Sequence, residues 1–163
     1  MGSVRSFISG LLAAYRVYSV DIRDREYTHE NETVINCDAK SIPLDDESVD
    51  AVVTLCSLQH FGLGKYGDEF DLDADKTALN EMIRILKPNG HLIFSTTVTS
   101  NTPIIHFNAQ RIFSLELIRE YCRDLTLVEE KLYNPRNRTF CSSEELDTPI
   151  GGHWDLYLGD YRK

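Results

Sequence analysis

The sequence is short of positive charge. It carries 17 Lys and Arg residues against 26 Asp and Glu residues, which gives 163 residues a net charge of -9. A protein that binds a phosphate backbone needs a basic face, so this balance argues against a nucleic-acid partner. Internal repeats, low-complexity tracts and apolar runs long enough to span a bilayer are also missing. These absences favour one globular domain over residues 1–163, with no membrane span.

The cysteines lack the spacing of a zinc site. There are four, none of them in a CxxC or Cys/His pair: Cys37, Cys56, Cys122 and Cys141. Three of the four lie in or beside apolar segments, where a reduced cysteine packs as a small hydrophobic side chain. We therefore predict no metal site, and a reducing cytoplasm is the simplest setting.

Helix and strand signals alternate along the chain, which is the pattern of an α/β sheet. The predicted helices are Arg5–Tyr15, Asp75–Leu86 and Leu115–Cys122, the last with Ser114 as its N-cap. The predicted strands are Arg16–Ile22, Thr33–Cys37, Val49–Leu55, His91–Val98, Leu125–Leu132 and His153–Leu158. Lys87–Gly90 reads as a turn that ends the second helix.

One acid stands where a nucleotide-binding fold would need it. Asp21 closes a short apolar strand about 20 residues beyond Gly2, the spacing at which such folds place a carboxylate on a ribose. A residue of this type can equally begin a turn. The strand that usually precedes the glycine is missing, because the sequence starts at Met1-Gly2-Ser3.

The order of these parts resembles the class I S-adenosylmethionine-dependent methyltransferases. The resemblance lies in VDI (Val20–Ile22), DAKSIP (Asp38–Pro43), the passage Ile42–Val53, and ILKPNGHL (Ile85–Leu92). It implies a Rossmann-like sheet that is mostly parallel, has an antiparallel C-terminal strand and lacks the usual first strand. It also implies S-adenosylmethionine as the cofactor.

Two further passages resemble an uncharacterised methyltransferase-like group, a domain family of unknown function. They are HFGLGKYGD (His60–Asp68) and HFNAQRIF (His106–Phe113). This narrower resemblance extends over most of the chain, but it names no substrate.

The wider resemblance assigns a role to each matching position. Gly2 and Ser3 would adjoin the methionine part of the cofactor, Asp21 would accept hydrogen bonds from the ribose, and Asp38 would meet the adenine edge. The segment after the third strand would border the methyl-transfer site. The cofactor-binding residues predicted in this way are Gly2, Ser3, Asp21, Ile22, Asp38, Ala39, Leu55, Cys56 and Ser57.

The loop after that strand supplies the candidates for chemistry. His60 is the predicted general base, because its ordinary pKa lies near neutrality; the alternative is a histidine that packs beside Phe61. The predicted substrate contacts are Tyr66, Asp68, Asn108 and Arg111. Arg111 suits an acidic group, but a salt bridge that ties the loop to the domain is an equal alternative.

The missing strand leaves two functions open. The first is methyl transfer to a small-molecule or sugar-like acceptor, and the second is an inactive methyltransferase-like module that acts through protein contacts. An NAD-binding fragment is a weaker alternative, because it does not explain LKPNG before a strand. An empty strand position leaves backbone groups unpaired. We therefore expect a truncated homologue or fragment, and a homodimer formed through the incomplete sheet.

Overall fold

The structure is a computed structural model that describes residues 2, 5–24, 29–100, 102–106, 109–141 and 154–163. Its helices are α1 (Arg5–Leu12), α2 (Ala74–Ile85) and α3 (Leu115–Tyr121), with a 3-10 turn at Leu58–His60. Its strands are β1 (Val17–Asp21), β2 (Glu32–Asn36), β3 (Val49–Leu55), β4 (Leu86–Thr99), β5 (Ile104–His106), β6 (Gln110–Ser114), β7 (Thr126–Asn134), β8 (Thr139–Cys141) and β9 (Asp155–Arg162). These helices are too short and too polar for any of them to traverse a lipid bilayer.

The larger sheet is built around β4. Strands β3 and β6 pair with β4 in parallel along one edge, and β9 pairs with the other edge in antiparallel orientation. Beyond β9 come β7 and β8, and beyond β6 comes β5, all in antiparallel pairs. The predicted Rossmann-like α/β sheet with an antiparallel C-terminal strand is confirmed, with more antiparallel members than the sequence indicates.

The strand order sets β1 and β2 apart from the larger sheet. Strands β1 and β2 form a separate parallel sheet of two strands, which shares no ladder with the larger sheet. In the β1–β2 ladder the backbone groups of Val17, Ser19 and Asp21 face β2. Those of Tyr18 and Val20 therefore face the gap beside β3. In the described part of the chain, no strand lies between β1 and β3.

The core lies between the larger sheet and α2. One face of α2 is fully covered: Ala78, Leu79, Met82 and Ile85 are at most 2% exposed. Their spacing is that of an amphipathic helix, and each large side chain buried there contributes about 1.5–3 kcal/mol. Further along the sheet, Phe94 of β4 packs against the rings of Tyr157 and Tyr161 of β9.

Most predicted elements are present, with shifted ends. The N-cap at Ser114 is confirmed, since its Oγ accepts a hydrogen bond of 3.1 Å from the Leu117 amide. Helix α1 ends at Leu12 instead of Tyr15, and beyond it the amides of Ala14 and Tyr15 share the Leu11 carbonyl in a turn. The sequence analysis missed β5, β6 and β8.

Lys87–Gly90 are predicted to form a turn that ends α2, but the structure includes them in a strand. These residues lie within β4, where they form a bulge between the pairs Val49–Leu86 and Ala51–His91. The backbone of Lys163 pairs with this bulge: its carbonyl accepts from the Asn89 amide at 2.9 Å, and its amide donates to the Gly90 carbonyl at 3.0 Å.

Candidate cofactor and substrate cleft

A cleft of about 90 Å³ lies where β1, β2 and β3 end. Parallel strands bring their carboxyl ends to one edge of a sheet, which is where α/β folds bind ligands. Ten of the predicted site residues line this cleft: Gly2, Asp21, Ile22, Asp38, Ala39, Cys56, Ser57, His60, Tyr66 and Asp68. Leu55 and Arg111 do not line it. Ser3 and Asn108 lie outside the described residues.

The cleft also contains residues that the sequence analysis missed. They are Val20, Arg23, Cys37, Phe61 and Gly62. Each is next to or two positions from a predicted site residue, so position along the chain is the signal that could have found them. Only Arg23 among them carries a charge.

Gly2 lies between the two sheets. Its amide donates a hydrogen bond of 3.1 Å to the Val20 carbonyl of β1. Its φ is +59°, and a Cβ built on it would lie 2.6 Å from the Ser57 Oγ. Both the left-handed backbone and the close approach require glycine here.

Asp21 is buried at the end of β1, with 6% of its surface exposed. Its carboxylate is held by Arg23: Nε donates to Oδ1 at 2.9 Å, and Nη2 donates to Oδ2 at 2.9 Å. The Arg23 amide adds a third bond to Oδ1 at 3.0 Å. The bond to Asp21 is also the main reason why the pKa of Arg23 is raised. Arg23 thus binds both carboxylate oxygens of Asp21, the residue predicted to bind the ribose.

Arg23 also reaches the opposite wall of the cleft. Its guanidinium carbon lies 4.9 Å from the centre of the Tyr66 ring, and the Lys65 Nζ lies 5.5 Å from the same centre. Tyr66 sits in a loop folded around Asp68, whose carboxylate accepts from the amides of Gly64 and Tyr66. Arg23 therefore connects the end of β1 to this loop.

Asp38 stabilises a turn and also lines the cleft. Its Oδ1 accepts from the Lys40 amide at 2.9 Å, and its carbonyl accepts from the Ser41 amide at 3.0 Å. This is the ordinary turn role that an aspartate can play. The turn leaves Asp38 and Ala39 on the wall of the cleft after β2.

Cys56 turns the chain at the end of β3. It adopts φ 51°, which is uncommon for a residue other than glycine. Its amide bonds to the Ser95 carbonyl at 3.0 Å, and its Sγ lies 3.4 Å from the Ser95 Oγ. The turn carries the chain from β3 across the cleft into the 3-10 turn that ends at His60.

The two ring nitrogens of His60 have different environments. Nδ1 lies 2.7 Å from the Ala109 carbonyl, which can only accept, so Nδ1 carries the proton. In the neutral ring Nε2 then has the free lone pair. Burial, as the largest cause, lowers the pKa of His60 below 6.5, and the bond to Ala109 opposes the shift. The neutral ring, which can accept a proton, therefore predominates at neutral pH.

Arg111 lies behind the cleft and holds the loop in place. It is 5% exposed, and its guanidinium donates to the carbonyls of Phe61, Asp71 (3.1 Å) and Leu72 (2.8 Å). Its Nε also pairs with the buried Asp75 at 3.3 Å. The predicted substrate contact is thus corrected in favour of the alternative, because the donors of Arg111 face the loop backbone.

Solved structures share this fold over nearly the whole chain. One is the 1,6-didemethyltoxoflavin-N1-methyltransferase of Burkholderia thailandensis, crystallised with 1,6-didemethyltoxoflavin and S-adenosylhomocysteine. It is 18% identical at a TM-score of 0.69, and the match covers 99% of this chain and 67% of that one.

Two further solved structures share the fold, and both were crystallised with S-adenosylhomocysteine. Geranyl diphosphate C-methyltransferase from Streptomyces coelicolor A3(2) is 17% identical at a TM-score of 0.66, covering 96% of this chain and 66% of that one. The N-methyltransferase NodS from Bradyrhizobium japonicum WM9 is 19% identical at a TM-score of 0.55, covering 91% and 66%. This chain thus spans about two thirds of the length of each.

Similarity in sequence identifies the family, which the shared fold alone does not. A search of curated protein sequences gives no match. Residues 1–94, however, match the methyltransferase domain family. That segment is more than half of the chain, and it includes every strand end that forms the cleft. The chain therefore belongs to the methyltransferase domain family.

Proposed function

We propose that this protein transfers a methyl group from S-adenosylmethionine to a small-molecule or sugar-like acceptor. One observation carries the proposal. Gly2, Asp21, Asp38 and Ser57 are far apart in the sequence, and all of them line one cleft at the carboxyl ends of β1, β2 and β3. This is the edge at which α/β folds bind nucleotide-like ligands.

The residues present fit the cofactor. Asp21 presents a buried carboxylate that suits the two hydroxyls of a ribose, and Asp38 and Ala39 stand beside it for the adenine edge. Gly2 brings backbone close to the cleft without a side chain, which suits the amino-acid part. Cys56 and Ser57 border the space between Gly2 and His60.

The chemistry asks little of the protein beyond alignment. The cofactor supplies an electrophilic methyl group on a sulfonium. The acceptor must lie in line with it, and holding the two together lowers the barrier by several kcal/mol. We assign the acceptor side to His60, Tyr66 and Asp68. With the cofactor bound, the acceptor oxygen or nitrogen would take the methyl group as the methyl–sulfur bond breaks and leaves a neutral thioether. The acceptor proton would pass to Nε2 of His60, the nitrogen that does not face Ala109.

We propose a small-molecule acceptor, no nucleic-acid partner and a cytoplasmic location. A net charge of -9 supports a small-molecule acceptor over a nucleic acid. None of the four cysteines forms a disulfide, which fits a reducing cytoplasm as the simplest setting.

We also propose a homodimer through the incomplete sheet. The backbone groups of Tyr18 face the gap beside β1, and Tyr18 itself is 48% exposed. An unpaired strand edge is a template for another chain. Size-exclusion chromatography with light scattering should give twice the 18.7 kDa chain mass; the chain mass alone would contradict the dimer.

Calorimetric titration with S-adenosylhomocysteine tests the cofactor site. We expect Asp21→Asn to weaken binding about thirtyfold, which corresponds to about 2 kcal/mol, because an amide donor replaces one acceptor oxygen and the remaining oxygen is no longer charged. Asp124→Asn is the matched control, since Asp124 is exposed and lies outside the cleft. No binding heat, together with no change in melting temperature, would favour the inactive-module alternative instead.

A further inference from the structure

Arg23 and Tyr66 both line the cleft and contact each other across it, with 4.9 Å between the guanidinium carbon and the ring centre. The space between the walls is about 90 Å³, whereas pockets for ligands of nucleoside size or larger are about 300–1,000 Å³. Arg23 spans this space from Asp21 to the face of Tyr66. A nucleoside that reached Asp21 would have to take the place of the Arg23 guanidinium.

The contact with Asp21 is a direct competition. Arg23 donates three hydrogen bonds to the two carboxylate oxygens. A ribose diol needs one acceptor site on each of the same two oxygens, but both sites of Oδ1 are taken by the amide and Nε of Arg23. The side-chain bonds run in a parallel pair, the geometry in which guanidinium binds carboxylate best. A diol and the Arg23 guanidinium therefore cannot both hold Asp21 in this way.

We propose that Arg23 is an internal competitor of the nucleoside: it occupies Asp21 in the free protein and must leave before the ribose binds. This inference rests on the proposed cofactor site and adds a regulatory residue to it. When only the open fraction of molecules can bind, the apparent affinity is reduced by that fraction. Arg23 thus lowers the affinity of the cleft, whereas a residue that contacted the ligand would raise it.

The exposure of the pair indicates a modest effect that depends on salt. The Arg23 side chain is 51% exposed, although the Asp21 side chain is only 4% exposed. Half-exposed ion pairs contribute little and are screened by salt. Arg23 therefore adjusts the affinity of the cleft and does not abolish binding.

The test is titration of the full chain with S-adenosylhomocysteine. We expect Arg23→Ala to bind about fivefold more tightly than the wild type, because the competing contact is gone. Lys65→Ala is the matched control: it removes the other cation beside the Tyr66 ring but has no bond to Asp21, and its affinity should stay within about twofold. Raising NaCl from about 0.05 to 0.5 M should narrow the gap between wild type and Arg23→Ala.

Each result decides the proposal. Tighter binding by Arg23→Ala supports it, including the case in which the wild type shows no binding. Equal or weaker binding, with a wild type that binds, overturns the competition and leaves the cofactor site standing. No binding by either folded protein overturns both. Arg23→Lys keeps the charge without the planar fork, so its intermediate affinity provides a second reading if the alanine variant does not fold.

Discussion

His60 shows how a single contact fixes the chemistry of a residue. The Ala109 carbonyl holds the proton on Nδ1, so Nε2 is the nitrogen available to a substrate. The edge of one ring meets the face of the other where His60 packs against Tyr66, at 5.7 Å between centroids. Burial lowers the pKa of this ring, so the packing that orients it also keeps it neutral.

This lowered pKa gives His60 a pH-dependent effect on stability. The folded-state pKa lies below the ordinary value of 6.5, so both states are neutral above that value. As the pH falls through 6.5, the unfolded chain takes up a proton that the folded chain does not, and stability is lost. We expect urea unfolding from about pH 7.5 to 5.5 to show a steeper loss for the wild type than for His60→Asn.

Proton NMR of the His60 ring supplies the direct check. The ring should titrate below pH 6.5 in the folded protein. Titration at or above that value, or equal pH slopes for the two proteins, would show that burial does not control this group.

At the scale of elements, one buried ion pair fixes the loop that forms a wall of the cleft. Arg111 projects from β6 and Asp75 from the first turn of α2, and both are at most 5% exposed. Burial raises the pKa of Asp75, and Arg111 opposes that shift. Tyr121 of α3 adds a hydrogen bond of 3.3 Å to the same carboxylate. Three elements therefore meet at one charge pair behind the loop.

Removal of one partner should be costly. We expect Arg111→Met to destabilise the protein by about 3–5 kcal/mol in urea unfolding, because it leaves Asp75 buried without its counter-charge. Arg119→Met is the matched control. Arg119 is 55% exposed in its pair with Glu130, so the loss should be less than about 1 kcal/mol. Equal losses for the two variants would contradict the role given to Arg111.

The sequence indicates elements well where the signal is local. The bounds of β3 are as predicted, α2 lies within one residue of its predicted ends, and the cap at Ser114 is present, because periodicity and capping depend on neighbouring residues. Strands β5 and β8 pair with β6 and β7, their neighbours along the chain, but each has only three residues, too few to show a strand periodicity in the sequence. The ion pair between Asp75 and Arg111 joins residues 36 positions apart, so no local pattern in the sequence indicates it.

At the scale of the whole molecule, the cleft is lined by residues of both sheets, the β1–β2 sheet and the larger one, which share no hydrogen-bonded ladder. The amide of Gly2 bonds to β1, and a Cβ built on Gly2 would meet Ser57 beyond β3, so this residue lies close to both sheets. The sequence predicted which strand ends meet, because the order of motifs resembles one family. It did not predict that Arg23 would occupy Asp21, because that depends on a side-chain conformation.

A crystal structure with bound S-adenosylhomocysteine would show whether Asp21 holds the ribose. We expect both ribose hydroxyls within about 2.6–3.2 Å of the Asp21 carboxylate, with the Arg23 guanidinium moved off those oxygens. A ligand bound away from Asp21, or a ribose in the cleft with Arg23 still in its paired position on that carboxylate, would contradict this expectation.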